Sequence, residues 1–174
     1  MKEIEVIRTF PNGKPLSVNF MDAVRSTQSE VIVRIDGDDS LDPDYISYGL
    51  HLVKKFQSAI SPTYLIPEYW FTVNKPQGAG IFYPRSQFLY VGGYDETLDY
   101  QADLDFYIRY TQLYPIRHID SLIYKWRVAN GRSLRNTDKI LPIRQQILER
   151  YGLSDEDVHH FGAYAYVNTS IDTS

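Results

Sequence analysis

The stretch that most constrains the fold of this chain is residues 31–45, VIVRIDGDDSLDPDY. It opens with a β-branched run of buried-strand type and passes at once into Asp36, Asp38, Asp39, Asp42 and Asp44. Helical spacing lies on either side of it. Leu16, Phe20, Ala23 and Val24 come before it, and Ile46, Leu50 and Val53 follow. Carboxylates packed this closely repel one another, so water, a helix N-terminus or a cation has to offset their charge.

The rest of the chain continues the alternation. EIEVIRTF alternates apolar and polar residues and reads as a short strand, followed by the turn PNGKP. Residues 16–27 read as a helix and VIVRI as a strand. Asp42 is suited to cap the next helix, with Pro43 at its first position, and that helix runs to about Phe56. SAISPTYLIPEYWFTVN suggests one or two strands broken by prolines, and GAGIFYPRSQFLYVGGYDE a strand, a short helix and a turn. QADLDFYIRYTQLY reads as a helix with Leu104, Ile108 and Leu113 near one stripe; PIRHI and SLIYKWRV read as two further strands. TDKILPIRQQILERYGLSDEDVHHF is helical in pattern, with Gly152 a stop. The pattern predicts one α/β domain over residues 1–160, with a mixed, mainly parallel sheet flanked by helices, and a tail over 161–174. Ligands in such sheets collect at the carboxyl ends of strands, where the acidic stretch sits.

Composition narrows the function classes. The 174 residues suffice for one domain with a core, and a net charge of −4 argues against a general nucleic-acid binder. The chain has no cysteine, which excludes disulfides and thiolate metal sites. No apolar run approaches the roughly 18–20 residues of a membrane span, and MKEIEVIRTF lacks the apolar segment of a signal peptide, so a cytoplasmic chain is expected. The 15 tyrosines suit packing first, and sugar or peptide surfaces second.

A turn through Gly37 can bring Asp36 and Asp38 toward one point. Hard cations such as Mg²⁺ and Mn²⁺ take carboxylate oxygens and share their remaining positions with phosphate and water. Asp-x-Asp alone is weak, because aspartate is common in turns and caps. Asp42 and Asp44 are accounted for as cap and first-turn acids of a helix.

VIVRIDGDDSLDPDYI resembles the Asp-x-Asp segment of the family-two inverting glycosyltransferases, which have the GT-A fold. A second block, residues 78–110, resembles that family's small-residue stretch, Gly-Gly-aromatic-Asp-Glu turn and acid-opened helix. Here these are Gly92, Gly93, Tyr94, Asp95 and Glu96, then Asp103, Asp105 and Arg109. Upstream, Asn12, Gly13 and Asn19 stand at matching places, and YKWRVANGRSLRN resembles the strand and loop after the catalytic helix. The resemblance covers roughly residues 4–136. It implies a metal-dependent enzyme that moves a sugar from a nucleotide-sugar donor to a glycan or other hydroxyl acceptor, with inversion. Asp36 and Asp38 would meet the metal (Mn²⁺ or Mg²⁺) and the diphosphate, Asp38 as the direct ligand. Asp39 would support the loop or touch the donor sugar, Arg127 would reach the donor phosphate, and Gly92, Gly93, Tyr94 and Asp95 would shape the acceptor side. Asp103 would be the base, because a single displacement needs a base facing the metal across the anomeric carbon.

The sequence departs from that pattern. Ala102 stands where the family has glutamate before the base, and Val128-Ala129-Asn130 lacks the family's loop histidine. Arg132 and Arg135 are further candidates for phosphate, whereas His118, His159 and His160 lack metal-like spacing. EVIRTF matches the family's third strand, so the nucleoside-gripping strands before it are absent from the pattern. From this follow two expectations: an exposed sheet edge covered by a second copy or a partner chain, and, as the alternative function, a non-catalytic binding module or one half of a split enzyme.

Overall fold

The computed structural model describes residues 4–9, 13–66, 71–73, 78–127 and 136–158, with the backbone alone for 71–73 and 137. In chain order the elements are α1 (Leu16–Ser26), β1 (Val31–Val33), β2 (Ser40–Leu41), α2 (Tyr45–Phe56), β3 (Ala59–Ile66) and β4 (Phe71–Val73). They continue with β5 (Phe82–Pro84), α3 (Arg85–Tyr90), α4 (Ala102–Thr111), β6 (Ile116–Lys125) and α5 (Thr137–Tyr151).

The sheet is mixed, in the order β1-β5-β3-β6-β2, with β4 also paired to β3. The expectation of a mainly parallel sheet is corrected. β1, β3 and β6 share one direction, but β5 lies antiparallel between β1 and β3, so among the described strands only the β3–β6 pair is parallel. PIRHI and SLIYKWRV form one strand rather than two. Its ladder with β3 slips at Pro62/Thr63, with Ile119 opposite Pro62 and Ile123 opposite Thr63. Proline has no N–H to donate, and a bulge forms where the ladder fails.

Three other expectations change. Ile4–Thr9 joins no strand, and Ile4 and Val6 are 56% and 74% exposed. Alternation becomes a strand only where a ladder partner exists; here Glu5 instead accepts the Thr27 hydroxyl. Asp42 does not cap α2. Ser40 and Leu41 pair with Lys125 and Tyr124, which draws Asp42 into an ion pair with Lys125 and leaves Asp44 at the N-cap. Leu113 lies beyond α4 and is exposed. The stop expected at Gly152 is where α5 ends: the helix closes at Tyr151, and Gly152 takes a left-handed φ of 65° and donates to the Leu148 and Glu149 carbonyls.

Alternate residues in and just before β5 feed two cores. Phe82 points to α2 and joins Tyr45, Leu52, Val53, Ile60, Tyr64 and Tyr124. Gly49 lets that helix approach, since a Cβ there would stand 2.3 Å from the Phe82 ring. Ile81 and Tyr83 face the other way, onto Met21 and Val24 of α1, Phe88 of α3 and Phe106 and Tyr110 of α4. Each such side chain contributes about 1.5–3 kcal/mol on burial. Leu104 and Ile108 anchor α4 to Ile147 and Leu148 of α5. The α4 N-terminus is thereby fixed beside the exit of β1. Among the described residues no helix is long and apolar enough to cross a membrane.

Candidate active site

The acidic loop leaves β1 through Arg34, whose carbonyl accepts the Gly80 N–H at 2.8 Å. The Asp39 N–H donates to the Asp36 carbonyl at 3.1 Å, closing a turn over Gly37 and Asp38. The three carboxylates of this turn meet different surroundings. Asp36 accepts from Arg34 Nε at 3.1 Å and Nη2 at 3.4 Å. Asp39 accepts from the Tyr124 hydroxyl at 2.7 Å and the Arg127 backbone N–H at 2.8 Å. Tyr124 also receives the Asp36 N–H at 3.2 Å, so β6 holds the loop from beneath. Asp38 is exposed and makes no hydrogen bond or ion pair among the described residues.

Burial pushes the Asp39 carboxyl up to about 6, with Asp36 and Asp38 adding to the rise and the bonds from Arg127 and Tyr124 opposing it. Burial likewise raises the Tyr124 phenol, with Asp39 next to it.

Asp103 sits in the first turn of α4 and accepts the Leu104 N–H at 3.0 Å. Its Oδ2 lies 4.0 Å from Arg34 Nη2, so one guanidinium faces both Asp36 and Asp103. The Arg34 side chain is 12% exposed. Burial works against its charge, but Asp36, then Tyr94 and Asp103, outweigh that and raise its pKa further. The buried Tyr94 hydroxyl completes this group: burial raises its pKa, and its contact with Arg34 opposes the rise. Gly78, at φ +52°, passes directly against the pair.

The remaining residues of the second block lie in a different environment. Asp105 is 1% exposed and accepts from Arg109 Nη2 at 2.6 Å, Arg109 Nε at 2.9 Å and the Tyr151 hydroxyl at 2.8 Å. Arg109 also donates to the Val91 and Gly93 carbonyls, each at 2.7 Å, which ties the Gly92-Gly93 turn to α4. Asp95 accepts from Thr97 and lies 3.6 Å from Arg150, and its pKa is lowered by Thr97 first. Gly92, Gly93 and Asp95 line a depression with Asp105, Arg109 and Tyr151. Of the four turn residues, only Tyr94 reaches Arg34. Arg127 meets Asp39 through its backbone, and its side chain is exposed. His118 shares Nε2 between Thr63 at 3.1 Å and Asp120 at 3.0 Å. Asn12, Asn130, Arg132, Arg135, His159 and His160 lie outside the described residues.

Among the described residues no group of three or more histidine, cysteine, aspartate or glutamate side chains converges as a complete metal cage. A hard cation here would draw on Asp38, with Asp36 beside it, and take its other ligands from water and phosphate oxygens, which is the usual mode for Mg²⁺. The free, exposed carboxylate of Asp38 fits that use.

Pattern reading did not single out Arg34, Gly78 or Tyr124. Arg34 carried a signal: a cation at the end of a buried-type strand needs an anionic partner, and Asp36 is two residues on.

No protein-family model matches the sequence, and none of the curated proteins compared with it is significantly similar.

Proposed function

We propose that this chain is a metal-dependent inverting glycosyltransferase of GT-A type, acting on a nucleotide-sugar donor and a hydroxyl acceptor. One observation carries the reading: Asp103, far from the Asp-x-Asp loop in sequence, shares the Arg34 guanidinium with Asp36. An inverting displacement needs a carboxylate base near, but apart from, the acids that meet the diphosphate. Asp38, with Asp36 beside it, would hold a divalent cation against the donor diphosphate, and that cation supplies charge neutralisation for the leaving phosphate. Asp103 would accept the proton of the acceptor hydroxyl as its oxygen attacks the anomeric carbon. Asp39, held by Tyr124 and Arg127, would keep the loop's shape.

The test is a panel of nucleotide sugars with Mn²⁺, scored for transfer and donor hydrolysis. Asp38→Ala is expected to abolish Mn²⁺-dependent donor binding, and Asp103→Asn to leave binding intact while stopping transfer. Retained transfer in Asp103→Asn rules out the base.

A second reading, a non-catalytic binding module, is favoured by the same guanidinium. Arg34 already offsets Asp36 and Asp103, so these acids persist without a bound cation. Donor binding without turnover by the unaltered chain across the panel would select it. In either case β1 ends the order of the described strands, which supports self-association or a partner chain along its outer edge. A strict monomer in sedimentation would count against that.

A further inference from the structure

We infer that Arg34 is a positioning residue, and that its forked guanidinium sets the distance between the acidic loop and Asp103. The inference rests on the glycosyltransferase reading for its kinetic consequence and on geometry alone for its structural one. Asp36 belongs to the exit of β1 and Asp103 to the start of α4. Among the described residues Arg34 is the one side chain that pairs with both carboxylates, at 3.1 Å and 4.0 Å. It is held rigidly for this. Tyr94 meets it from the GGYD turn, and the Gly78 backbone closes over it with no room for a Cβ. A guanidinium is planar, stays charged and carries donors along two directions, whereas an ammonium is a single point charge. Lysine can therefore serve either carboxylate, but not hold the two at a fixed separation.

The acidic loop has other supports, in Tyr124 and the Asp39–Asp36 turn. Among the described residues Asp103 has only its bond to Leu104 N–H and the Arg34 pair. Loss of Arg34 thus leaves the loop formed and Asp103 free to drift, with two carboxylates facing each other unscreened.

Two measurements test this. The first is thermal melting of Arg34→Met in the unaltered chain and in an Asp36→Asn/Asp103→Asn background. The Met substitution is expected to lower Tm by about 2–4 °C less in the second background, as a coupling of contacting groups gives for a chain of this length. Equal losses overturn the inference. If Arg34→Met does not fold, Arg34→Gln takes its place in the same cycle. The second is steady-state transfer by Arg34→Lys. It is expected to show kcat reduced about 100-fold, the effect of roughly 1 Å of misplacement, with donor KM and Mn²⁺-dependent nucleoside diphosphate binding within about threefold of the unaltered chain. An unchanged kcat, or a raised KM at unchanged kcat, overturns it. If the unaltered chain transfers no sugar, the kinetic arm reports failure of the glycosyltransferase reading, and the melting cycle still decides the role of Arg34.

Discussion

Gly78→Ala probes the Arg34–Asp103 pair most directly. A Cβ at residue 78 would stand 2.1 Å from Asp103 Oδ2 and 3.1 Å from Arg34 Nη2. Ordinary contact starts near 3.4 Å, so the Asp103 carboxylate has to retreat by about 1.3 Å. That movement opens the 4.0 Å ion pair and pulls on the 3.0 Å bond from the Leu104 N–H. The backbone adds its own cost, because an L-residue at positive φ loses about 1–2 kcal/mol. Gly152→Ala supplies the control: its φ is +65°, yet nothing lies within 4 Å of a Cβ there. Both variants carry the backbone strain, and only Gly78→Ala displaces a side chain. Gly152→Ala is expected to lower Tm by about 2–8 °C and leave transfer unchanged; Gly78→Ala should lose more in Tm and about 100-fold in transfer. In an Asp103→Ala background the displaced oxygen is gone and only the 3.1 Å approach to the end of the Arg34 side chain remains, so most of the excess Tm loss of Gly78→Ala over Gly152→Ala should disappear. Equal melting losses in the two single variants, with full transfer retained, would refute the geometry.

Three further outcomes follow from other parts of the molecule. Asp105→Asn should lower stability by about 3 kcal/mol, since it strips the charge that Arg109 faces in the interior, whereas Asp103→Asn should cost under about 1 kcal/mol; equal urea midpoints would contradict the assignment of Asp105 to structure. The Asp39 carboxyl is raised from its ordinary 3.8 to about 6 in the fold, so the folded state holds the proton more tightly. Its contribution is present below pH about 4 and is lost as pH rises through about 6, so Asp39→Asn should flatten that decline and raise the midpoint at pH 7; an unaltered pH slope would count against it. Gln57, exposed at the end of α2 with φ +51°, should gain about 0.5–1 kcal/mol on replacement by glycine, read as a higher melting temperature.

What could be read from sequence was local. α1, α2 and α4 were visible in apolar spacing, and the end of α5 in Gly152, because a helix declares itself within one or two turns. Strand partners depend on distant residues. Nothing in FYP says that it will enter between VIV and AISPTYLI, and nothing in EIEVIRTF says that its alternation will find no ladder. Asp42 beside Pro43 carries a valid cap signal, yet β2 pairing delivers it to Lys125. The candidate site divides in the same way. Asp36, Asp38, Asp39 and Asp103 stood out as acids in recognisable settings. Gly78 and Tyr124 act through contacts 25 and 85 residues away in sequence, with Asp103 and Asp39, and such contacts exist only once the sheet has formed.

The charge conflict in the acidic stretch is settled one residue at a time. Asp42 meets Lys125, Asp44 stands at the N-cap of α2, Asp36 faces Arg34, and Asp39 is held by Tyr124 and a backbone N–H. Asp38 and Asp44 are exposed, Asp44 at the start of α2 and Asp38 at the turn of the loop itself. Folding of the loop therefore requires no divalent cation, and in the turn over residues 36–39 a cation finds one uncommitted carboxylate, that of Asp38, which is weak binding unless phosphate oxygens complete the shell. Chelator should leave the melting temperature of the unaltered chain where it is, and Mn²⁺ alone at about 1 mM should shift it little. Mn²⁺ with a nucleoside diphosphate at a hundred times its dissociation constant should add about 2.7 kcal/mol, or some 5–10 °C. Asp38→Ala should abolish that shift without lowering the starting temperature. A melting temperature that falls on adding chelator would show that the acids need a cation to fold, and the assignment of their charge to Arg34, Lys125 and Tyr124 would then be wrong.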